Sequence, residues 1–291
     1  VIKLVLLQLL APVLGRAPWF AYPVAGLVGR IAWYTQRRSR ERLIRNLLPF
    51  CDGDMERARR EGLRAYQNVA RYWVDLCTLP YRDMTGFERR HIRIMQPERV
   101  EALLQAEGPV VAVSAHMGNP ELVIQALTYR GRAFVAMVEE LKPRQFSKAL
   151  LRRRTSAGGK FYEANFGGVR ACIDALRRGE LVGLMADRDI QHSGICVSLA
   201  GKCVKLPRGP WEIARRANAL VVPVLTSRDG RDNFNIYVEE PFRVEVTGNQ
   251  ELDVRKAAEH WASILEAHIR REPGQWAVLE DFWTVHACGQ S

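Results

Sequence analysis

The stretch VVAVSAHMGNPELV, residues 110–123, ends an apolar run at His116 and places Glu121 five positions later. An imidazole beside a carboxylate can work as a general base. The carboxylate on one ring nitrogen fixes the tautomer, and the other nitrogen takes a proton from a hydroxyl. On one continuous helix, residues five apart face different sides. With the histidine on a turn and the glutamate on the helix that the turn begins, the two side chains can meet. Gly118 lets another group approach the backbone closely. Asn119 suits an N-cap, Pro120 a first helical position and Glu121 a first turn. Amides at such a helix start can hold an anion or a developing oxyanion. The same residues also read as a plain capping motif, with Glu121 favouring the helix dipole. No G-x-S-x-G elbow and no suitable Cys–His signature appears, which speaks against a covalent nucleophile. Ser114 reads as a structural strand residue.

These residues need a scaffold, and from about residue 106 short apolar runs alternate with helical patterns. The runs are Val110–Ala115, Ala133–Val138, Lys160–Asn165, Leu181–Ala186 and Leu220–Thr226, with helices near 121–130, 143–156, 168–178 and 208–218 between them. Such alternation predicts an α/β fold with a mainly parallel central sheet flanked by helices. His116 then lies just past the carboxyl end of a core strand, the edge where open α/β sheets bind ligands. NFNIYVEEPF reads as a late strand. ELDVRKAAEHWASILEAHIRREPGQW reads as a final amphipathic helix stopped at Pro273-Gly274. No repeat or flexible linker appears. The reading divides the chain into a helical, membrane-associating N-terminal region, 1–105, and an α/β core, 106–291, packed as one unit.

The N-terminal segment is apolar but broken. A spanning helix needs about 20 continuous apolar residues, and Lys3, Pro12, Arg16, Pro18 and Pro23 interrupt every such window. No clean signal-peptide cleavage site followed by a polar start is visible. The segment fits helices lying on a membrane; a buried helical hairpin is the alternative. Next come Arg37, Arg38, Arg40, Arg42 and Arg45, then Pro49 and CDGD, with Asp52 or Asp54 as cap for a further helix. On that helix Leu63, Tyr66, Ala70, Trp73 and Cys77 form one apolar stripe. Basic residues near a membrane surface gain about 1 kcal/mol each from anionic lipid.

The 291 residues carry a formal charge of +11, so an anionic partner is expected: nucleic acid, an anionic membrane surface or a phosphorylated substrate. At 47% hydrophobic residues the chain can bury a sizeable core. The six cysteines show no C-x-x-C or zinc-site spacing and read as reduced thiols, mostly small apolar fillers.

Four stretches together resemble the bacterial lipid A late acyltransferase superfamily, which includes the mycobacterial phosphatidylinositol mannoside acyltransferases. They are RERLIRNLLPF, SAHMGNPE, the block from GELVGLMADRDI to LVVPV, and EPGQWAVLEDFW. Their order and spacing span about residues 26–283. The resemblance implies that His116 is the general base for an acceptor hydroxyl and that Glu121 orients and charge-balances it. It implies Arg154, upstream of Gly158, near the acyl donor, with Arg153 next to it. Asp187 and Arg188 should face the same crevice, unless Asp189 pairs with Arg188 instead. Lys205 is a weaker phosphate contact, and Asn119 belongs to the same substrate-binding set. Pro120 and SLAGK depart from the family pattern, so the groove for the acyl chain or acceptor differs in shape.

The reaction implied is O-acyl transfer from an acyl thioester, acyl-CoA or acyl carrier protein, to a membrane lipid or glycolipid. It needs no metal and no cofactor. A phosphatidylinositol mannoside-type acceptor is favoured over lipid A because HMGN and DRD look closer to that branch. The enzyme would sit peripherally on the cytoplasmic face of the inner membrane. Two other classes compete: a nucleic-acid-binding protein, which the charge alone suggests and no motif supports, and a catalytically inactive membrane-bound interaction protein.

Overall fold

A computed structural model describes residues 11–156 and 158–289. After a helical stretch over residues 11–16 follow α1 (Pro18–Thr35), α2 (Arg37–Leu47) and α3 (Met55–Thr78), with a 3-10 turn at Leu48–Cys51. Asp54 caps α3, accepting from the amides of Glu56 and Arg57. Asp52, the other candidate, instead pairs with Arg270 at 2.8 Å.

Helix α1 lies directly on α3 because Gly26 and Gly29 leave room. A Cβ on Gly29 would sit 2.6 Å from the Cα of Gln67. Trp33 packs edge-on against Tyr66 at 5.4 Å. On the opposite face of α1, Trp19, Phe20, Leu27, Val28, Ile31 and Tyr34 are all more than half exposed. Among the described residues, α1 therefore packs on α3 along one face and leaves the other exposed. Lys3 lies outside the described residues. Among the described residues no helix is long and apolar enough to cross a membrane. Of the stripe on α3, Tyr66 and Cys77 are buried, but Trp73 is 40% exposed.

The remaining helices are α4 (Met84–His91), α5 (Pro97–Gln105), α6 (Glu121–Tyr129), α7 (Arg144–Ser156), α8 (Phe166–Arg177), α9 (Gly209–Arg216), α10 (Gln250–Arg271) and α11 (Phe282–Val285). The strands are β1 (Ile92–Ile94), β2 (Val110–Ser114), β3 (Phe134–Val138), β4 (Lys160–Glu163), β5 (Leu181–Met185), β6 (Ile195–Leu199), β7 (Lys202–Leu206), β8 (Leu220–Asp229), β9 (Asn233–Val238) and β10 (Phe242–Arg243). Among the described residues eight strands form one sheet, β1-β9-β8-β2-β5-β3-β4, with β10 antiparallel on β8. The run from β8 through β4 is parallel; β9 returns antiparallel along β8. Strand β1, from the segment before residue 106, pairs with β9 and extends the sheet.

Strand β2 is apolar from Val110 to Val113 because both its faces are covered there. Val111 and Val113 join a core with Val182, Leu184, Trp211 and Trp261. Val110 and Ala112, pointing the other way, join Leu181, Phe134 and Val222.

The cysteines depart from expectation. Cys51, Cys77 and Cys172 are buried free thiols, but Cys196 and Cys288 form a disulfide. The chain's end returns alongside β7, with a bridge from Val204 to Ala287. A contact between residues 92 positions apart leaves no mark in cysteine spacing.

Asn46, in the RNL of the basic helix, is fully buried and holds that returning segment. Its Nδ2 donates to the carbonyls of Val278 and Glu280, and its Oδ1 accepts from the amide of Phe282. Asn46→Ala strands three buried backbone groups and should cost about 2–4 kcal/mol in urea unfolding. A loss below about 1 kcal/mol would show that the segment is held by packing alone.

Candidate active site

Strands β2 and β5 run parallel in register, with Ser114 opposite Met185. Two residues further, His116 and Asp187 leave the sheet side by side. The pairing between them is double. The His116 amide donates to Asp187 Oδ2 at 3.0 Å, and the ring Nδ1 lies 2.8 Å from Asp187 Oδ1. Trp276 Nε1 donates to Oδ2 at 3.0 Å. Asp187 is fully buried, while the His116 side chain is 35% exposed. Burial alone would raise the Asp187 carboxyl, but His116 and Trp276 outweigh it and hold the group below the usual carboxylate range. A carboxylate accepts only, so Nδ1 carries the proton and Nε2 is left as the base. Nε2 makes no hydrogen bond among the described residues.

The turn after His116 is held by backbone contacts to two other parts of the chain. Ala277 donates to the His116 carbonyl at 3.0 Å and Gly118 donates to the Gln275 carbonyl at 3.2 Å. Thr226 Oγ1 donates to the Met117 carbonyl and accepts from the Asn119 amide, both at 2.8 Å. Gly118 has φ +57, and a Cβ there would lie 2.5 Å from the Thr226 carbonyl oxygen. The close approach that Gly118 permits is therefore that of strand β8. The Gln275 side chain bonds the Arg228 amide at 2.9 Å and the Arg228 carbonyl at 2.8 Å, joining the Pro-Gly-Gln-Trp segment to the same strand.

Glu121 is not the partner of the imidazole, a correction to the expected pair. It begins α6, and its Oε1 accepts from Arg154 Nε at 2.7 Å and from the Tyr72 hydroxyl at 3.0 Å. Burial would lower the Arg154 guanidinium, but Glu121 and Tyr72 hold it above its ordinary value, so it stays charged. Asn119 is fully buried, and its Oδ1 accepts from the Glu121 amide at 3.1 Å. The Leu122 amide goes to the Asn119 carbonyl at 3.2 Å. The amides at the start of α6 are thus already paired within the chain and do not form an open oxyanion site.

Arg188 does not pair with Asp189. Its guanidinium forks onto Glu280, Nε to Oε1 at 2.7 Å and Nη2 to Oε2 at 2.8 Å. His286 and Arg188 together pull the Glu280 carboxyl down to about 2, against its partial burial. Asp189 instead closes a turn, accepting from the amides of Ser193 and Gly194. Arg153, one helical step from Arg154, lies near enough to Cys77 for its charge to oppose the burial that raises that thiol. Lys205 lies on β7 opposite Cys196. The structure thus gathers His116, Asp187 and Asn119 at one sheet edge, and Glu121 with Arg154 beside them on α6 and α7. Trp276, Thr226, Gln275 and Tyr72 were missed. Of these, Trp276 and Gln275 lay in EPGQWAVLEDFW, one of the four family-like stretches, and Thr226 ended the run Leu220–Thr226.

The sequence matches the family of bacterial lipid A biosynthesis acyltransferases over residues 12–284. The chain belongs to that family. It is an acyltransferase, as its four sequence stretches implied. The chain is 26% identical over 223 residues to the phosphatidylinositol mannoside acyltransferase of Mycobacterium tuberculosis (strain CDC 1551 / Oshkosh), covering 75% of this chain and 68% of that one. With the enzyme of the same name from Mycolicibacterium smegmatis (strain ATCC 700084 / mc(2)155) it shares 25% over 229 residues, covering 77% and 71%. The crystal structure of the 1-acyl-sn-glycerophosphate (LPA) acyltransferase PlsC from Thermotoga maritima aligns at TM-score 0.39 and 17% identity, over 84% of this chain and 98% of that one.

The Asp187 carboxyl titrates lower in the folded acyltransferase than in the unfolded chain. Its contribution to stability is therefore complete above the ordinary carboxylate value and lost as pH falls through the folded value. Trp276→Phe removes one of the contacts that lower it, so the loss should begin at higher pH. The acid midpoint of unfolding should move upward. An acid midpoint that stays put while neutral stability falls would show that Trp276 acts only through packing.

Proposed function

We propose that this acyltransferase moves a fatty acyl chain from an acyl thioester to a hydroxyl of a membrane lipid or glycolipid, with His116 as general base. The observation that carries the reading is the imidazole at the carboxyl edge of β2, its Nδ1 held by buried Asp187 and its Nε2 turned outward. Nε2 takes the proton of the acceptor hydroxyl as the oxygen attacks the thioester carbonyl. The C–O bond forms, the tetrahedral intermediate collapses, and the C–S bond breaks. The imidazolium returns its proton to the departing thiolate, and Asp187 stabilises that cation without being protonated. No step calls for a metal. Glu121 and Arg154 act as positioning residues, since their buried ion pair fixes the first turn of α6 against α3 and α7.

The acceptor favoured is of phosphatidylinositol mannoside type, on the strength of the two named relatives. Acyl-CoA and acyl carrier protein are both acidic, and a chain of charge +11 suits either as donor. The apolar outer face of α1 would rest in the headgroup region of the cytoplasmic leaflet. Exposed Arg16, Arg30, Arg37 and Arg38 flank it or lie just beyond it and suit anionic lipid.

His116→Ala and Asp187→Asn should each lower transfer by roughly 10²–10⁴-fold while the circular dichroism spectrum is kept. The assay follows acyl transfer by mass spectrometry, from acyl-CoA and from acyl carrier protein, to phosphatidylinositol mannoside or to a lipid A precursor. Turnover near wild type in His116→Ala, or no transfer from either donor to either acceptor, would overturn the reading. The double change Leu27→Asp, Ile31→Asp should weaken binding to anionic vesicles on the order of 100-fold. Unchanged vesicle binding would show that another surface meets the lipid.

A further inference from the structure

Three sulfur atoms come together away from the transfer site. Cys196, Cys203 and Cys288 have their Sγ atoms within 4.8 Å of one another, and no histidine or carboxylate of the described residues joins the group. Cys196 and Cys203 come from the two strands of one hairpin, where Cys203 pairs with Ser198 and Cys196 with Lys205. The third comes from the returning carboxyl-terminal segment. The backbone holds that segment independently of any sulfur bond. Lys205 donates to the His286 carbonyl at 2.7 Å, Val204 bridges Ala287, and Cys288 donates to the Cys203 carbonyl at 3.5 Å. A disulfide between Cys196 and Cys288 uses two of the three thiols and leaves exposed Cys203 beside it.

We infer that the reduced triad is a binding site for a soft, thiophilic d10 cation, Cu(I) or Zn(II). An all-sulfur donor set selects such cations, Cu(I) with three thiolates, Zn(II) with a fourth position left to water. A small dithiol reductant gives two electrons and two protons to the disulfide. This leaves Cys196 and Cys288 as thiols and the reductant as its own disulfide. The cation then displaces three thiol protons and forms three metal–sulfur bonds. Three thiolates leave the bound site at −1 with Zn(II) or −2 with Cu(I). The loaded site ties the hairpin after Asp187 to the segment that carries Glu280 and His286. Glu280 in turn holds Arg188, the neighbour of Asp187. The site is separate from the transfer chemistry and does not depend on it.

The whole chain is reduced anaerobically with a small dithiol and desalted, and the free thiols of an unfolded sample are counted. It is then titrated with Zn²⁺ or with Cu⁺ against a chromophoric chelator. Six free thiols are expected, followed by uptake of one equivalent of Zn²⁺, of Cu⁺, or of either; the two titrations tell which cation the site takes. Cys203→Ser leaves the Cys196–Cys288 pair available and should weaken uptake by at least about 10-fold. Cys288→Ser should do the same, and Cys172→Ser should not. No uptake by the fully reduced chain would overturn the site. So would uptake unchanged in Cys203→Ser, or a disulfide that survives reduction with only four thiols free and no metal bound.

Discussion

Asp187 places a negative charge where no water reaches it, and its three donors are the His116 amide, the His116 ring and the Trp276 indole. A buried carboxylate without such partners costs several kcal/mol. The arrangement therefore depends on three parts of the chain meeting at one point. Strands β2 and β5 must be neighbours and in register. The Pro-Gly-Gln-Trp segment, nearly 90 residues further on, must close over them. That segment is kept in place by its own Gln275, which bonds Arg228 of β8, and by Asn46 on α2. Removing the carboxylate would leave the imidazole without a fixed tautomer and two N–H donors unpaired.

A buried ion pair does for the helical layer what Asp187 does for the sheet edge. Arg228 on β8 pairs with Asp75 on α3, both fully buried. Tyr22 on α1 donates to the same carboxylate at 2.7 Å, and burial beside Asp75 raises its hydroxyl. One carboxylate thus fastens the outer helix to α3 and both to the sheet. Because Tyr72 on the same α3 reaches Glu121, the exposed apolar face of α1 has a short rigid path to the turn that carries His116. In the proposed reading this is how a lipid-facing helix and a catalytic base keep a constant separation.

Much of the fold was legible because parallel strands buried on both faces write themselves as unbroken apolar runs. Val110–Val113 and Leu181–Val182 are such runs, and each lies where the runs placed a strand. The alternation of runs with helical patterns gave the class. What the sequence could not give was strand order. β5 lies next to β2 although two strands intervene along the chain, and only that adjacency makes Asp187 rather than Glu121 the partner of His116. A spacing of five residues is local and easily seen; a register between separate strands is not. Arg188 shows the same limit, since Glu280 is 92 positions away. The disulfide partner of Cys196 was hidden for the same reason. By contrast the Pro-Gly-Gln-Trp signature was visible, and its chemistry becomes clear only when Trp276 is seen on the Asp187 carboxylate.

The central claim is that Asp187 sets the protonation of the His116 ring, leaving Nε2 as the base. With only six histidines in the chain, labelling them with ¹⁵N and recording long-range proton–nitrogen correlations reads the tautomer directly. At a pH where the ring is neutral, His116 should carry its proton on Nδ1, and Asp187→Asn should shift the population toward Nε2–H. A neutral His116 protonated on Nε2 in the unaltered chain, or a tautomer that ignores the loss of the Asp187 charge, would contradict the account.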